Sequence, residues 1–223
     1  MQDLSKYEKR ALPGGVTLTG KSVRIEPLDW DRHGADLAAA ICGPERPELW
    51  RYMPFTPIAD LPELSASMDY GAKMFGWIPM AIVRASDERA LGMASYMRLR
   101  PEHGSCEVGC IVFGHELQRT RAATEAMYVM ARHVFDDLDY RRYEWKCHND
   151  NAASKRAALR FGFAYEGLFR QDLIVKGKNR DTAWFSITDT EWPGVKAGFE
   201  AWLADDNFDD DGHQRRSLKA CRG

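Results

Sequence analysis

Apolar and polar residues alternate in several short stretches of the chain, and each stretch predicts a β-strand. Residues 16–28 (VTLTGKSVRIEPL) alternate on both sides of a Gly-Lys pair, so they predict a β-hairpin. Three further runs, residues 79–85, 90–98 and 105–113, follow one another closely along the chain. Because short connections join antiparallel strands, these runs predict a meander.

Four other segments place apolar residues at the spacing of an α-helix. They cover residues 30–41, 61–75, 124–138 and 152–160. The third has the clearest amphipathic pattern, and one side of it consists of Ala126, Val129, Met130, His133 and Val134. Each segment is long enough to cross one face of a sheet.

The remaining strands flank the last of these helices. Residues 142–147 alternate before it, and residues 163–175 and 181–188 alternate after Gly162, which marks the helix C-terminus. Residues 47–58 (PELWRYMPFTPI) are too rich in proline to form one continuous helix and predict a loop. The predicted order is therefore a hairpin, two helices, three strands, a helix, a strand, a helix and two strands.

The length and composition fit one domain with two polar ends. A chain of 223 residues can bury a sizeable core. Residues 1–15 contain a Pro-Gly-Gly break and predict an N-terminal arm. Residues 204–223 contain almost no apolar side chains, so they predict a disordered polar tail. The folded domain is expected to span residues 16–203.

The charge balance argues against several classes of partner. Lys plus Arg total 31 and Asp plus Glu total 33, which gives a net charge of -2. This balance offers no strong field for nucleic acid or for an anionic membrane. The sequence starts without the apolar core of a signal peptide and has no run of about 18 apolar residues that could cross a bilayer. We therefore expect a cytoplasmic protein whose partner is a small molecule or another protein.

The cysteines are too scattered to predict a disulfide framework or a zinc site. They include no CxxC pair, and their number is odd: Cys42, Cys106, Cys110, Cys147 and Cys221. We expect reduced thiols. His103 is close in sequence to two of them, but no fourth ligand is nearby, so no metal site is expected.

Two short motifs suggest other functions but lack the context that those functions need. Residues 15–22 (GVTLTGKS) match the phosphate-binding P-loop pattern, yet an alternating segment follows them where a P-loop has a helix. Residues 207–212 (NFDDDG) resemble the start of an EF-hand calcium loop, yet its twelfth position is Leu218 where a bidentate Glu is required. Nucleotide hydrolysis stays open as an alternative that rests on the P-loop match alone.

The region from Glu107 to Gly167 carries the strongest chemical signal. A strand (EVGCIVF) ends in a polar turn that opens a helix at QRTRAATEA. Helix N-termini present unpaired amide N–H groups, which form a binding site for an anion such as a pyrophosphate. Arg119 and Arg121 would add positive charge there, although both could also be surface residues.

Five stretches in this order resemble the GNAT superfamily of acetyltransferases, and in particular its ribosomal-protein-alanine N-acetyltransferase-like branch. They are EVGCIVF, LQRTRAATEAM, DNAASKRAALRFGFAYEG, KGKNRDTAWFSI and EWP. The resemblance runs from about Leu18 to Leu203. It implies an α+β fold in which a strongly twisted mixed β-sheet of about seven strands is flanked by helices. It also implies transfer of an acetyl group from acetyl-CoA to a primary amine, without a metal or a covalent enzyme intermediate.

The resemblance assigns coenzyme contacts to three parts of the chain. These residues are Ile111, Val112 and Phe113 on the strand, Gln118, Arg119, Thr120, Arg121, Ala122, Ala123 and Thr124 at the helix start, and Asn151 and Ser154. The family's loop pattern Gln/Arg-x-x-Gly-x-Gly/Ala fits Gln118 and Ala123 but has Arg121 where glycine is usual. Arg119 replaces another common glycine. These side chains could obstruct the pyrophosphate or could pair with it.

The same resemblance suggests catalytic roles. Ser154 would lie near the sulfur and help the thiolate leave, although a serine in the first helical turn is also an ordinary capping residue. Glu107 is the first candidate for the base that removes the amine proton, and Asp172 and His148 are weaker ones. Ribosomal-protein relatives carry a carboxylate at the position of Leu173. Glu107 could equally be an exposed surface carboxylate.

The acceptor pocket is expected beside the aromatic loop. Trp50, Tyr52 and Trp77 are the candidate residues, because aromatic side chains beside arginine can hold a peptide terminus or a small amine. The same aromatics could instead simply close the core. The acceptor is a small molecule or a protein N-terminus, and a homodimer is possible. A coenzyme-binding sensor without turnover and a purely structural interaction module stay open as alternatives.

Overall fold

The computed structural model describes residues 3–223, in which strands and helices alternate along the chain. The strands are β1 Leu18–Thr19, β2 Val23–Pro27, β3 Ile78–Arg84, β4 Ala90–Arg100, β5 Ser105–Phe113, β6 Arg142–His148, β7 Ala164–Val175 and β8 Lys178–Thr188. The helices are α1 Trp30–Ile41, α2 Leu61–Phe75, α3 Arg121–Arg132, α4 Ala152–Phe161, α5 Trp192–Leu203 and α6 Leu218–Arg222.

One sheet organises the described part of the chain. Its strand order is β1-β2-β3-β4-β5-β6-β8-β7, with eight strands where about seven were expected. The pairs are antiparallel except for β5 and β6, which run parallel. This arrangement confirms the mixed α+β fold, the entry hairpin and the three-stranded meander.

Helices cover the sheet on both faces. On one face, apolar side chains from the strands pack with α3, α4 and α5. On the other face, a second group packs with α1 and α2. Both α1 and α2 begin and end at their predicted residues because Asp29 and Asp60 cap their N-termini, and Gly76 ends α2 with a φ of 65°. Strands β3 to β6 therefore have few exposed residues, whereas most residues of the edge strand β7 are exposed.

Helix α3 starts earlier than predicted. Thr120 caps it by accepting from the amide of Ala123, so the first helical residue is Arg121 rather than Thr124. The helix continues through a π-helical turn at residues 133–137. The predicted amphipathic segment is therefore confirmed, with three more residues at its N-terminus.

Helix α5 was missing from the predicted order of elements. Its buried residues are Trp192, Val195, Gly198, Phe199, Trp202 and Leu203. Burial on several sides leaves little contrast between an apolar and a polar face, which is the contrast that periodicity detects. At Gly198 a Cβ atom would lie 2.1 Å from the Arg222 side chain, so this glycine allows α6 to pack closely.

The prediction of a disordered tail at residues 204–223 is wrong for this structure. Asn207 is buried and donates to the carbonyl oxygens of Trp202 and Arg216. Leu218 is 1% exposed, and the Arg222 guanidinium donates to the last carbonyl groups of α4. Polar side chains thus bind main-chain groups of the domain, an interaction that composition does not reveal.

The segment with the P-loop pattern has a different geometry. The amides of Lys21 and Ser22 donate to the carboxylate of Glu125 at 2.6 and 2.7 Å, and strand β2 follows instead of a helix. The prediction that this segment does not bind nucleotide phosphates is therefore consistent with its contacts. The loop fastens the hairpin to α3.

The structure also bears on the expectations for the cysteines, for the acidic turn at residues 207–212 and for a membrane-spanning helix. The five cysteines are free thiols, and Cys106 and Cys110 belong to the apolar layers on opposite faces of the sheet. In the acidic turn, Asp209 accepts from the amides of Asp211 and His213. Between residues 3 and 223, no helix has the length and apolar character of a membrane span.

Candidate active site

The site is a cleft formed where two neighbouring strands diverge. β5 and β6 pair at only three positions, from Ser105 opposite Arg142 to Glu107 opposite Glu144. Beyond Glu107 they separate, and a cleft of about 1680 Å³ opens between them. The outer part of β5 therefore has a neighbouring strand only on its β4 side.

Two β-bulges shape the walls of the cleft. Cys110 and Ile111 lie opposite one residue of β4, and Cys110 has a φ of 48°. Arg98 and Leu99 lie opposite Cys106, and Arg98 has a φ of 45°. A bulge bends its strand and redirects the side chains around it. Here the bulges direct the end of β5, and also Arg98, toward the cleft.

The loop before α3 connects the end of β5 to a capped helix N-terminus. The Gln118 side chain donates to the carbonyl oxygen of Phe113 at 2.9 Å and so joins the loop to the end of β5. Thr120 uses its hydroxyl as the helix cap. The amides of Ala123 and Thr124 bond to Thr120, whereas those of Arg121 and Ala122 have no acceptor among the described residues and are available to an anion. Ala122 packs into the core instead of lining the cleft.

The two arginines at glycine positions differ in their surroundings. Arg119 has a φ of 61°, so it keeps the left-handed conformation that favours glycine. Arg121 does not lie along the loop: its guanidinium donates to the carbonyl of Leu203, pairs with Asp205 at 2.7 Å and stacks on Phe208. The expectation that both would add charge at the loop is therefore corrected for Arg121.

Asn151 and Ser154 lie together at the start of α4. The Asn151 carboxamide oxygen accepts from the Ser154 amide at 3.0 Å, which leaves its NH₂ group free to donate. The Ser154 hydroxyl oxygen accepts from the Trp145 indole at 2.9 Å, so the hydroxyl proton can point toward another acceptor. Both side chains line the cleft, and the Asn151 side chain also caps the helix.

Glu107 is buried at the point where β5 and β6 separate. Its side chain is 2% exposed, which excludes the alternative of a surface carboxylate. The Lys146 ammonium lies 3.2 Å from its Oε2 atom, and the Arg98 Nε atom lies 3.7 Å away. Burial raises the pKa of this carboxyl to about 7, although both cations oppose the shift. Such a group exchanges a proton near neutral pH.

The weaker base candidates fit the site less well. The Asp150 amide donates to Nδ1 of His148 at 3.1 Å, so the neutral ring carries its proton on Nε2 and is a donor to the cleft. Asp172 is half-buried and does not line the cleft. Leu173, at the position where relatives carry a carboxylate, does line it.

The aromatic residues predicted for the acceptor separate into two groups. Tyr52 and Trp77 line the cleft, and the Tyr52 ring centroid lies 5.4 Å from that of His148. Trp50 is fully buried, and its indole donates to the carbonyl of Ile41 at 2.9 Å. Trp50 is therefore a core residue, and its place in the acceptor pocket is corrected.

Sequence reasoning missed a row of polar residues on β8. Arg180, Thr182 and Trp184 alternate with the apolar core positions of the strand. Arg98 and Lys146 both lie over the Trp184 ring, 4.8 and 5.3 Å from its centroid. The alternation in RDTAWFS would have indicated one polar face, but its contact with the cleft depends on the sheet order.

Comparison with known proteins supports the family that the sequence resembles. The family model described as acetyltransferase (GNAT) domain matches residues 23–164. The chain belongs to the GNAT family. A GCN5-related N-acetyltransferase from Brucella melitensis has a similar crystal structure, with 41% identity, a TM-score of 0.92 and coverage of 98% of this chain and 99% of that one.

Curated relatives support the same GNAT branch. The uncharacterized N-acetyltransferase p20 of Bacillus licheniformis is 27% identical over 160 residues, which are 66% of this chain and 84% of that protein. Ribosomal-protein-serine acetyltransferase of Escherichia coli is 29% identical over 96 residues, or 43% of this chain and 52% of that protein. The resemblance to the ribosomal-protein branch is thereby confirmed, and the chain is an N-acetyltransferase.

One wall of this GNAT cleft lies outside the residues that the family model matches. Phe208, His213 and Gln214 of the C-terminal segment line the cleft next to Arg160 and Trp202. Gln214 accepts from the Trp202 indole at 2.7 Å, and Arg160 stacks on the Trp202 ring. The segment predicted to be a disordered tail therefore forms part of the site.

Proposed function

We propose that this GNAT protein transfers the acetyl group of acetyl-CoA to a primary amine while both substrates are bound. The observation that carries the proposal is the buried Glu107 at the junction of β5 and β6, facing the cleft with a pKa of about 7. A carboxylate in this position can accept the proton that an amine must lose before it attacks.

The residues around the cleft fit the coenzyme. Its pantetheine arm would run along the end of β5, where Ile111, Val112 and Phe113 have no strand beside them on the cleft side. The amides at the start of α3 would hold the pyrophosphate, and Arg119 would add charge. The free NH₂ group of Asn151 would donate to a pantetheine carbonyl. Acetyl-CoA supplies the activated acetyl thioester of the reaction.

Glu107 would act as the base, either directly or through water. The amine enters as an ammonium ion, and the carboxylate takes one proton to leave a neutral nucleophile. The raised pKa matters because a base works best when its pKa lies near the working pH. Lys146 and Arg98 keep part of the carboxyl group ionised despite its burial.

Ser154 would assist the leaving group. Because Trp145 donates to its oxygen, the hydroxyl proton is free to donate toward a sulfur that gains negative charge. The start of α4 adds the positive end of its helix dipole. No residue needs to form a covalent bond with the acetyl group in this scheme.

The acceptor would enter from the side of the cleft lined by Tyr52 and Trp77. These aromatic rings offer an apolar wall with few polar groups, which suits a small amine or the first residues of a protein N-terminus. The relatives named for ribosomal proteins make a protein N-terminus one class of acceptor to test.

The direct experiment measures release of free CoA thiol with acetyl-CoA and a panel of primary amines. We expect amine-dependent release, with acetylated amine detected by mass spectrometry. Calorimetry with acetyl-CoA serves as the parallel binding measurement. Binding without release for any amine would contradict the enzyme proposal and favour a sensor, whereas absence of binding would contradict both.

A further inference from the structure

Three neighbouring side chains on one face of β8 hold polar atoms without partners. They are the Nε atom of Arg180, the Oγ1 atom of Thr182 and the Nε1 atom of Trp184. The three residues are 8%, 0% and 9% exposed, so water does not freely reach these atoms. Their positions alternate along the strand, and this places them side by side on a single face.

Such atoms are rare in folded proteins because an unsatisfied buried donor costs the energy of its lost hydration. Arg180 is the extreme case. Its guanidinium forms no ion pair and no hydrogen bond with any of residues 3–223, yet it lines the cleft. A buried arginine is normally paired with an anion. A site for an anion from outside the chain explains this arrangement.

The charges at the acceptor end of the cleft also favour a ligand with an anionic group. Arg98, Lys146 and Arg180 line it, whereas the lining carboxylates are Glu63 and Glu107. Glu63 accepts from the Ala59 amide at the start of α2, and Glu107 lies beside Lys146 and Arg98. Arg98 also donates to the buried Glu144 at 3.2 Å, so Arg180 is the cation of this end that has no carboxylate partner among the described residues. This excess of positive charge disfavours a polyamine and favours an acceptor with a negative group.

We propose that the acceptor is a small amino acid whose carboxylate pairs with Arg180 while its amine lies at Glu107. The inference rests on the proposed acetyl transfer and specifies its substrate class. A guanidinium can bind the two oxygens of a carboxylate side by side, which fixes the acceptor's orientation as well as its charge. Thr182 and Trp184 add donors behind Arg180 on the same face.

The test compares acceptors that differ only in the proposed group. Each of a set of L-amino acids is assayed beside its carboxamide, which keeps the amine and the side chain but removes the charge. A charge-assisted hydrogen bond lost from a buried site corresponds to about a 10- to 100-fold change. We therefore expect kcat/KM to be higher for the acids by about that factor, mainly through a lower KM.

Substitution of Arg180 should abolish this preference. Arg180→Met should lower kcat/KM for the acids far more than for the amides, so that the ratio of acid to amide falls to about one. Arg180→Lys keeps the positive charge but loses the two parallel N–H donors of the guanidinium, so it should retain part of the preference for acids over amides. Arg170→Met removes an exposed arginine from the neighbouring strand and serves as the matched control, with the preference intact.

Stability measurements separate this role from a structural one. Because the guanidinium has no partner in the described chain, Arg180→Met should melt at the same temperature as the wild type or higher. A lower melting temperature together with equal losses for acids and amides would indicate a structural residue and contradict the proposal.

Failure of this inference can be distinguished from failure of the transferase proposal. If amides or peptide N-termini are acetylated as well as the free amino acids or better, the substrate class is wrong but acetyl transfer stands. If acetyl-CoA binds and no amino acid of the panel is acetylated, the substrate class is again wrong. If acetyl-CoA does not bind, the coenzyme site itself has failed.

Discussion

The two ends of the cleft satisfy their polar groups in different ways. At the proposed coenzyme end, the buried and half-buried polar side chains have partners in the protein, whereas Arg119 is exposed. Thr120 and Asn151 cap helices, and Arg121 is held by Leu203 and Asp205. The groups left for a ligand at this end are mainly backbone amides and the Asn151 NH₂ group.

The acceptor end contains side chains that the protein leaves incompletely satisfied. Glu107 is buried with a raised pKa, and Arg180 is buried without a partner in the described residues. Thr182 and Trp184 also hold unpartnered atoms. Substitutions should therefore act differently at the two ends. Changes at the coenzyme end affect folding and binding together, whereas changes at the acceptor end should affect activity and spare stability.

Glu107→Gln gives the largest expected effect and tests the acceptor end. General-base catalysis contributes about 10²- to 10⁴-fold, so kcat should fall by at least about 100-fold. The Kd for acetyl-CoA, measured by calorimetry, should not change. A variant with more than half of the wild-type kcat would show that another group removes the proton.

The stability of the same variant should depend on pH in a defined direction. The Glu107 pKa is raised from 4.5 to about 7 in the folded protein, so its ionisation opposes folding as pH rises through this range. The melting temperature of Glu107→Gln relative to the wild type should therefore increase between pH 5 and pH 8. A constant difference would mean that burial does not hold the carboxyl protonated.

Ser154→Ala should give the next largest effect. Loss of the hydroxyl donor should lower kcat by about tenfold, because the helix dipole still stabilises the leaving thiolate. Ser154→Thr keeps the hydroxyl and serves as the control. The comparison uses single-turnover rates, and equal rates for the two variants would show that the Ser154 hydroxyl does not assist the leaving group.

Two substitutions of Asn151 separate its role as a helix cap from its proposed role as a hydrogen-bond donor to acetyl-CoA. Asn151→Ala removes the cap, which costs about 1 kcal/mol of stability, and also removes the NH₂ donor. Asn151→Asp keeps a good cap and removes only the donor. Calorimetry should show a similar, roughly tenfold weaker binding of acetyl-CoA for both variants, corresponding to one hydrogen bond of about 1.4 kcal/mol. Wild-type affinity in Asn151→Asp would contradict the contact with pantetheine.

Arg119→Gly should produce the smallest change. The left-handed φ of 61° costs a non-glycine residue about 1–2 kcal/mol of stability. Glycine avoids this cost, but part of the gain is lost because glycine also increases the conformational entropy of the unfolded chain. Chemical denaturation should therefore show a gain of about 0.5–1 kcal/mol for the glycine variant. Arg119→Ala keeps the conformational cost and removes the charge. Weaker acetyl-CoA binding in both variants would show that Arg119 contacts the pyrophosphate.

The elements that could be predicted from the sequence have strong local signals. Helices α1 and α2 have aspartate caps at their N-termini, and β5 has the bounds predicted from its sequence, Ser105–Phe113. Helix α5 had no such contrast because several of its sides are buried. The C-terminal segment was misjudged because its polar residues form specific contacts with α4, α5 and α3.

The site was predictable where the backbone forms it and unpredictable where distant side chains meet. The loop before α3 and the cap of α4 follow from local motifs. The burial of Glu107 depends on helices covering both faces of the sheet, so a charged residue between two apolar ones is not exposed here. Trp50 lies in an aromatic loop next to Tyr52, and only the fold separates their roles.

The pH dependence of acetyl transfer is the most direct test of whether Glu107 removes the proton from the amine. The rate ratio of wild type to Glu107→Gln, measured with one amine from pH 5 to 9, cancels the ionisation of the free amine that both enzymes share. We expect this ratio to rise with pH through about 7 and then to become constant, as Glu107 loses its proton. A ratio that stays constant from pH 5 to 9 would show that Glu107 is not the base.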